Sequence, residues 1–212
     1  MTTASQSGGG VPGTYRYVAN WVNGGGSNYS IVYGAHLNTS ASYDPSVEGE
    51  ILSLNYSEDS IMVRGFGDGQ FSGPAIYQNG QVFIATNQAA GTGLLRANQS
   101  TWTHQAVGGL TSANFTLLGS IFSPTWTPNG GIHPDFSATG AAMLFGFYRA
   151  DSACTNCPGY DIEAGIDNWF VSVDHADGPG NNPPGDEEVP EPAAFALLSV
   201  AVTGAAWKRK PK

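Results

Sequence analysis

Residues 74–86 constrain this chain most. Pro74–Gln78 and Gln81–Thr86 are two short runs joined by Asn79-Gly80. A two-residue type I′ turn needs positive φ at both central positions, and Asn-Gly is the pair that accepts this most readily. The stretch therefore reads as an antiparallel hairpin. A hairpin alone is marginal in water, so its apolar face must pack against further strands.

The chain offers those strands. Tyr15–Val22 places Tyr15, Tyr17, Ala19 and Trp21 on one face, and Asn28–Leu37 alternates through Tyr29, Ile31, Tyr33 and Ala35. Such period-2 patterning marks strands with two distinct faces. Asn38–Val47 reads as a loop, with Asp44-Pro45 as a turn signal. Glu48–Tyr56 and Ser60–Phe66 read as strands separated by a turn at Ser57-Glu58-Asp59. Residues 87–100 and 124–140 read as irregular. Thr101–Val107 reads as a surface strand and Asn114–Ile121 as a short strand or helix. Ala141–Ala150 is a strong strand, carrying Met143, Leu144, Phe145, Phe147 and Tyr148. Tyr160–Asp174 closes the domain with Trp169, Val171 and Val173 on one face. Ile166 falls on the opposite parity, which predicts a bulge near Gly165 or Asp167.

About ten strands with turn signals every 8–12 residues and no long amphipathic helix predict a two-sheet sandwich. Composition agrees: 29 glycines and only 12% charged residues in 212 suit strands and turns better than helices. The expected fold is all-β, a two-sheet antiparallel jelly-roll sandwich followed by a single C-terminal hydrophobic helix. The domain spans residues 14–175. Residues 1–13 are Gly/Ser/Thr-rich and expected to be disordered, and 176–188 form a flexible acidic Gly/Pro linker.

Charge narrows the function. Residues 1–188 hold sixteen acidic side chains, four arginines and no lysine, a net charge of −12. A body of that charge has no means of binding nucleic-acid phosphates. The basic residues it lacks are concentrated at the end, in Lys208, Arg209, Lys210 and Lys212.

Those cations follow an uncharged run from Ala193 to Trp207, 15 residues in all. As a helix it would extend about 22 Å, short of a ~30 Å hydrocarbon core. Trp207 and the cations lengthen its reach because they prefer the interface. Lys and Arg favour the cytoplasmic side, so the expected topology places the tail end inside the cell and the body outside. Ahead of the run stand Val189, Pro190, Glu191 and Pro192.

A Pro-Glu-Pro motif, an apolar run and a basic end in that order resemble the PEP-CTERM sorting signal of Gram-negative bacteria. The resemblance covers residues 189–212. It implies recognition by an exosortase-type processing enzyme, membrane engagement through residues 193–207, cleavage near the motif, and a final place in the cell envelope or extracellular matrix. Export also calls for an apolar leader. Residues 1–10 contain none, so the leader is expected upstream of Met1.

The body carries a second resemblance. Asp44-Pro45-Ser46, Leu54-Asn55-Tyr56-Ser57-Glu58-Asp59, His133-Pro134-Asp135-Phe136-Ser137, Phe145-Gly146-Phe147-Tyr148-Arg149 and Ala164-Gly165-Ile166-Asp167-Asn168-Trp169 look similar to the β-sandwich bodies often fused to such tails. These in turn resemble concanavalin A-like lectin/glucanase jelly rolls. The implied role is carbohydrate binding, with extracellular polysaccharide as partner, and the late Asp-Asn pair is similar to those that join a calcium site. Calcium is the cofactor such an acidic, oxygen-rich domain would take; its expected ligands are Asp167 and Asn168, then Asp161.

Enzymatic chemistry finds less support. A glucanase-type site needs paired carboxylates on one strand face. Glu48/Glu50 and Asp161/Glu163 have that spacing but lack a third acid at the expected offset. His36, His104, His133 and His175 form no metal-ligating motif, and no Gly-x-Ser-x-Gly elbow is present. Tyr77, Trp102 and Trp126 are the aromatics expected to stack on sugar rings. The Cys154-Thr-Asn-Cys157 pair has three readings: half a zinc site, a redox motif, or a small disulfide pinching a loop. Export favours the disulfide. The expected function is thus a non-enzymatic envelope or matrix protein that binds polysaccharide. A secreted glycan-active enzyme and a purely structural or adhesive surface protein are the alternatives.

Overall fold

In a computed structural model of the chain, Asn79 and Gly80 take φ of 53° and 78°, the positive pair a type I′ turn requires. They join two neighbouring strands in antiparallel register, with Gln78 opposite Gln81. The structure describes residues 2–65, 69–87, 92–118, 131–176, 187–188 and 197–203.

The strands are β1 (Thr2–Gly10), β2 (Gly13–Val22), β3 (Ser30–Tyr43), β4 (Ile51–Arg64), β5 (Gln70–Gln78), β6 (Gln81–Asn87), β7 (Thr92–Gly93), β8 (Leu95–Ala97), β9 (Thr103–Leu110), β10 (Phe115–Leu117), β11 (Met143–Ala153), β12 (Tyr160–His175), β13 (Glu187–Glu188) and β14 (Leu197–Thr203). One helical turn, α1 (Pro45–Glu48), and a 3-10 turn at Ser112–Asn114 complete the regular structure among the described residues. One sheet runs β1-β2-β12-β4-β9 and the other β10-β6-β5-β11-β3-β14, with β13, β7 and β8 paired at their margins. Every pairing is antiparallel. The fold is an all-β protein of two antiparallel sheets.

The space between the sheets is layered. A large apolar cluster includes Val18, Leu54, Ile76, Phe83, Phe145, Phe147, Ile166 and Trp169. A smaller one, Val22, Ala153 and Ile162, lies beside Met62, Cys157 and Tyr160. Along β11 the inward residues between these clusters are Arg149 and Asp151, both buried. Arg149 Nη1 donates to Glu58 Oε1 at 3.1 Å; Glu58 also accepts from the Ser72 hydroxyl at 2.9 Å and the Tyr56 hydroxyl at 2.7 Å. Asp151 Oδ2 accepts from Asn20 Nδ2 at 2.6 Å and Gln70 Nε2 at 3.5 Å. The outer face of the second sheet is also apolar and buried, through Ala35, Leu37, Ala75, Ile84 and Tyr148. This two-sided burial is why β11 reads as a nearly unbroken apolar run.

Several expectations are corrected. Ser57-Glu58-Asp59 is not a turn but the middle of β4, because Glu58 finds Arg149, Ser72 and Tyr56 inside the sandwich. The loop expected at 38–47 is largely strand: β3 continues to Tyr43 before α1. Asp44 caps α1 by accepting from Ser46 N at 3.0 Å, and Pro45 fills its first turn, so the Asp-Pro signal marks a helix start. The amino-terminal stretch expected to be disordered pairs with β2 from Thr2 onward, since backbone hydrogen bonding to an open sheet edge requires no apolar side chains. Of the apolar tail, only Leu197–Thr203 is described, as strand β14 beside β3; the remainder of the expected helix lies outside the described residues. Among the described residues no helix is long and apolar enough to cross a membrane.

The bulge is where parity predicted it. The β12–β4 register shifts between Asp167 and Phe170, and Asn168 there takes φ 47°. In β2 the aromatic row faces outward, while Val18, Asn20 and Val22 point inward and are buried.

Candidate functional site

A cavity opens at one end of the sandwich, where β2 passes to β3 and β11 passes to β12. Its making begins with two turns that need each other. Gly24-Gly25-Gly26 follows β2, and Cys154–Gly159 follows β11. Gly25 N donates to Cys157 O at 3.0 Å, and Asn156 N donates to Gly26 O at 2.6 Å. A Cβ on Gly25 would stand 2.0 Å from Cys154 O, so only glycine lets the two backbones approach this closely. Cys154 and Cys157 are joined in a disulfide across a Cα separation of 5.2 Å. A Cys157 N–H bond to Cys154 O at 3.0 Å tightens the same loop.

The docked turns leave a cavity of about 490 Å³ lined by Tyr29, Ile31, Phe71 and Tyr160, with Ser152, Pro158 and the disulfide also in its wall. Tyr29 is 65% exposed. Tyr160 is held by its hydroxyl, which donates to Ser152 O at 2.8 Å. Burial, then the nearby Asp151 charge, raises the Tyr160 pKa, which keeps the phenol protonated. Arg96 stacks over the Phe71 ring at 5.7 Å without lining the cavity. Trp21, 55% exposed, stands beside the same loop: a Cβ on Gly159 would lie 3.0 Å from its ring. Chemically the cavity offers aromatic faces, hydroxyls and backbone groups, and among the described residues none of those lining it carries a charged side chain.

The expected calcium ligands sit elsewhere and do not form one group. Asp167 Oδ2 accepts from Val11 N at 2.6 Å, and Asn168 Nδ2 donates to Val11 O and to Asp59 Oδ2, the latter at 2.7 Å. Both residues thus fasten the β1–β2 turn onto the bulge. Asp161 instead pairs with Arg64 at 3.6 Å, and Glu163 pairs with the same guanidinium at 2.7 Å. Among the described residues no cluster of three or more His, Cys, Asp or Glu is placed to hold a metal. Glu48 Oε1 accepts from Asp44 N at 2.7 Å, closing α1, which accounts for one member of the other carboxylate pair.

The expected stacking aromatics are also dispersed. Trp102 donates its indole N–H to Gly9 O at 2.6 Å and meets Tyr15 edge-on at 5.2 Å. Tyr77 packs on the buried outer face of the second sheet. Trp126, the sorting motif Val189–Pro192 and the basic end Lys208, Arg209, Lys210 and Lys212 lie outside the described residues. His104 Nδ1 meets Asp59 Oδ1 at 2.8 Å on the outer face of the first sheet, beside a shallower hollow of about 370 Å³ that Ser57 and Phe170 share.

The aromatics that line the cavity were legible only as strand residues. Tyr29 and Tyr160 alternate properly at strand starts, and Phe71 stands alone. The one local clue was that Tyr160 closely follows the cysteine loop and Tyr29 the glycine run. No protein-family model, curated protein or solved structure matches this chain.

Proposed function

We propose that the chain is an exported bacterial cell-envelope or extracellular-matrix protein whose β-sandwich body binds polysaccharide without catalysing a reaction. The order of Pro190-Glu191-Pro192, the apolar run 193–207 and the basic end carries this reading. In it, residues 193–207 leave the edge of the second sheet, where Leu197–Thr203 form β14, and enter the membrane as a helix; an exosortase-type enzyme cuts near the motif, and the jelly-roll body is released to the surface. The Cys154–Cys157 disulfide suits an oxidising compartment, where such bonds persist. The acidic, lysine-free body suits a displayed protein better than one that works on nucleic acid.

A reporter carrying Val189–Lys212 behind a secretion leader tests the sorting step. In a host with an exosortase it is expected at the envelope in cut form, and Pro190→Ala with Glu191→Ala should leave it uncut. Equal processing of both reporters would overturn the reading.

A further inference from the structure

We propose that the cavity beside the Cys154–Cys157 loop holds one ring of a neutral pyranose sugar, with Tyr29 and Tyr160 as its aromatic walls. This rests on the polysaccharide-binding reading and adds to it the place of binding and the charge class of the sugar.

A pyranose has apolar C–H faces and an equatorial belt of hydroxyls. A site for it needs ring faces beneath and hydrogen-bonding groups at the edge. The cavity has both: Tyr29, Phe71 and Tyr160 supply rings, and the tyrosine hydroxyls, Ser152 and the loop backbone supply donors and acceptors. Its volume of about 490 Å³ suits a small ligand and not an extended chain, so a single ring or chain end is the unit read. The Tyr160 wall is set before binding. The disulfide and the Gly25–Cys157 and Asn156–Gly26 hydrogen bonds fix the loop, and the Ser152 carbonyl fixes Tyr160. A pre-set wall lowers the ordering cost that weak sugar ligands otherwise meet.

Charge selects among sugars. A uronic acid or a phosphorylated sugar calls for a cation aimed at its anion. Among the described residues no lining side chain is charged, and Arg96 is stacked on Phe71 outside the lining. The net charge of −12 over residues 1–188 further opposes a polyanion. A neutral ring meets neither obstacle, and its binding should be nearly independent of salt.

Saturation-transfer NMR on the full chain, held in a non-glycosidic detergent, gives the test. The probes are the methyl glycosides of glucose, galactose, mannose and N-acetylglucosamine, with methyl glucuronoside as the charged comparison. At least one neutral glycoside should bind, with little change between low and high salt, and glucuronoside should bind about tenfold more weakly or not at all. Tyr29→Ala should weaken binding about tenfold while Tyr29→Phe retains it. Tyr29 is mostly exposed, so circular dichroism should be unchanged in both variants. Binding by none of the neutral glycosides, stronger binding of glucuronoside, or binding indifferent to Tyr29→Ala would each overturn the proposal. A polysaccharide pull-down separates the two levels. If Tyr29→Ala still retains polysaccharide, the cavity assignment falls alone; if the unmodified chain retains none, the broader reading falls with it.

Discussion

Asp151 and His36 face the interior from neighbouring strands, and their titrations oppose each other. Burial pushes Asp151 from 3.8 up to about 7, against the lowering effect of hydrogen bonds from Asn20 and Gln70 and the charge of Arg149. The native state therefore keeps a proton there that the unfolded chain releases, and stability falls as pH rises from about 4 to 7. Burial pushes His36 the other way, from 6.5 to about 3, aided by the charges of Arg149 and Arg16. The unfolded chain then holds the extra proton, and stability falls as pH drops from 6.5 towards 3. Between pH 4 and 6.5 the two cancel. Single variants separate them. In Asp151→Asn, unfolding free energy should decline on acidification by up to about 1.4 kcal/mol per pH unit. In His36→Phe it should instead rise on acidification by a similar slope. Denaturant melts at three pH values check both signs.

Elements show where local sequence sufficed and where it did not. The Asn79-Gly80 hairpin was legible because its conformation is decided by two adjacent residues. The bulge in β12 was legible because parity fails inside a single strand. Ser57-Glu58-Asp59 was misread because the partner that lets Glu58 lie inside a strand is Arg149, 91 residues away. The amino-terminal strand was missed for a related reason. Its polar residues give no burial pattern, and its anchor is the pair Asp167 and Asn168 at the far end of the sequence. Asp167→Ala should remove the charged acceptor of Val11 N, at a local cost of about 1.5–3 kcal/mol. Backbone amides of residues 3–6 should then exchange with solvent faster, while those of β11 keep their protection. Hydrogen exchange read by NMR would show this, and equal exchange in both proteins would detach the turn from the strand's stability.

At the scale of the whole molecule, two sheets enclose apolar clusters with Arg149, Glu58, Asp151 and Asn20 between them, and the cavity lies where the strands end. The sandwich could be read from spacing and composition, since both report how often the chain turns. The cavity could not, because Tyr29, Phe71 and Tyr160 meet only once the strand order is set. The cysteine loop was the one part visible in advance, through its spacing. The proposed destination of the molecule rests on residues 189–212, and the protein recovered from cells offers the sharpest test. Intact-mass spectrometry of the protein recovered from the cell surface should show a chain ending near Val189–Pro192, without residues 193–212. A surface protein that retains Lys212, or a full-length chain recovered only from the cytosol, would contradict the account.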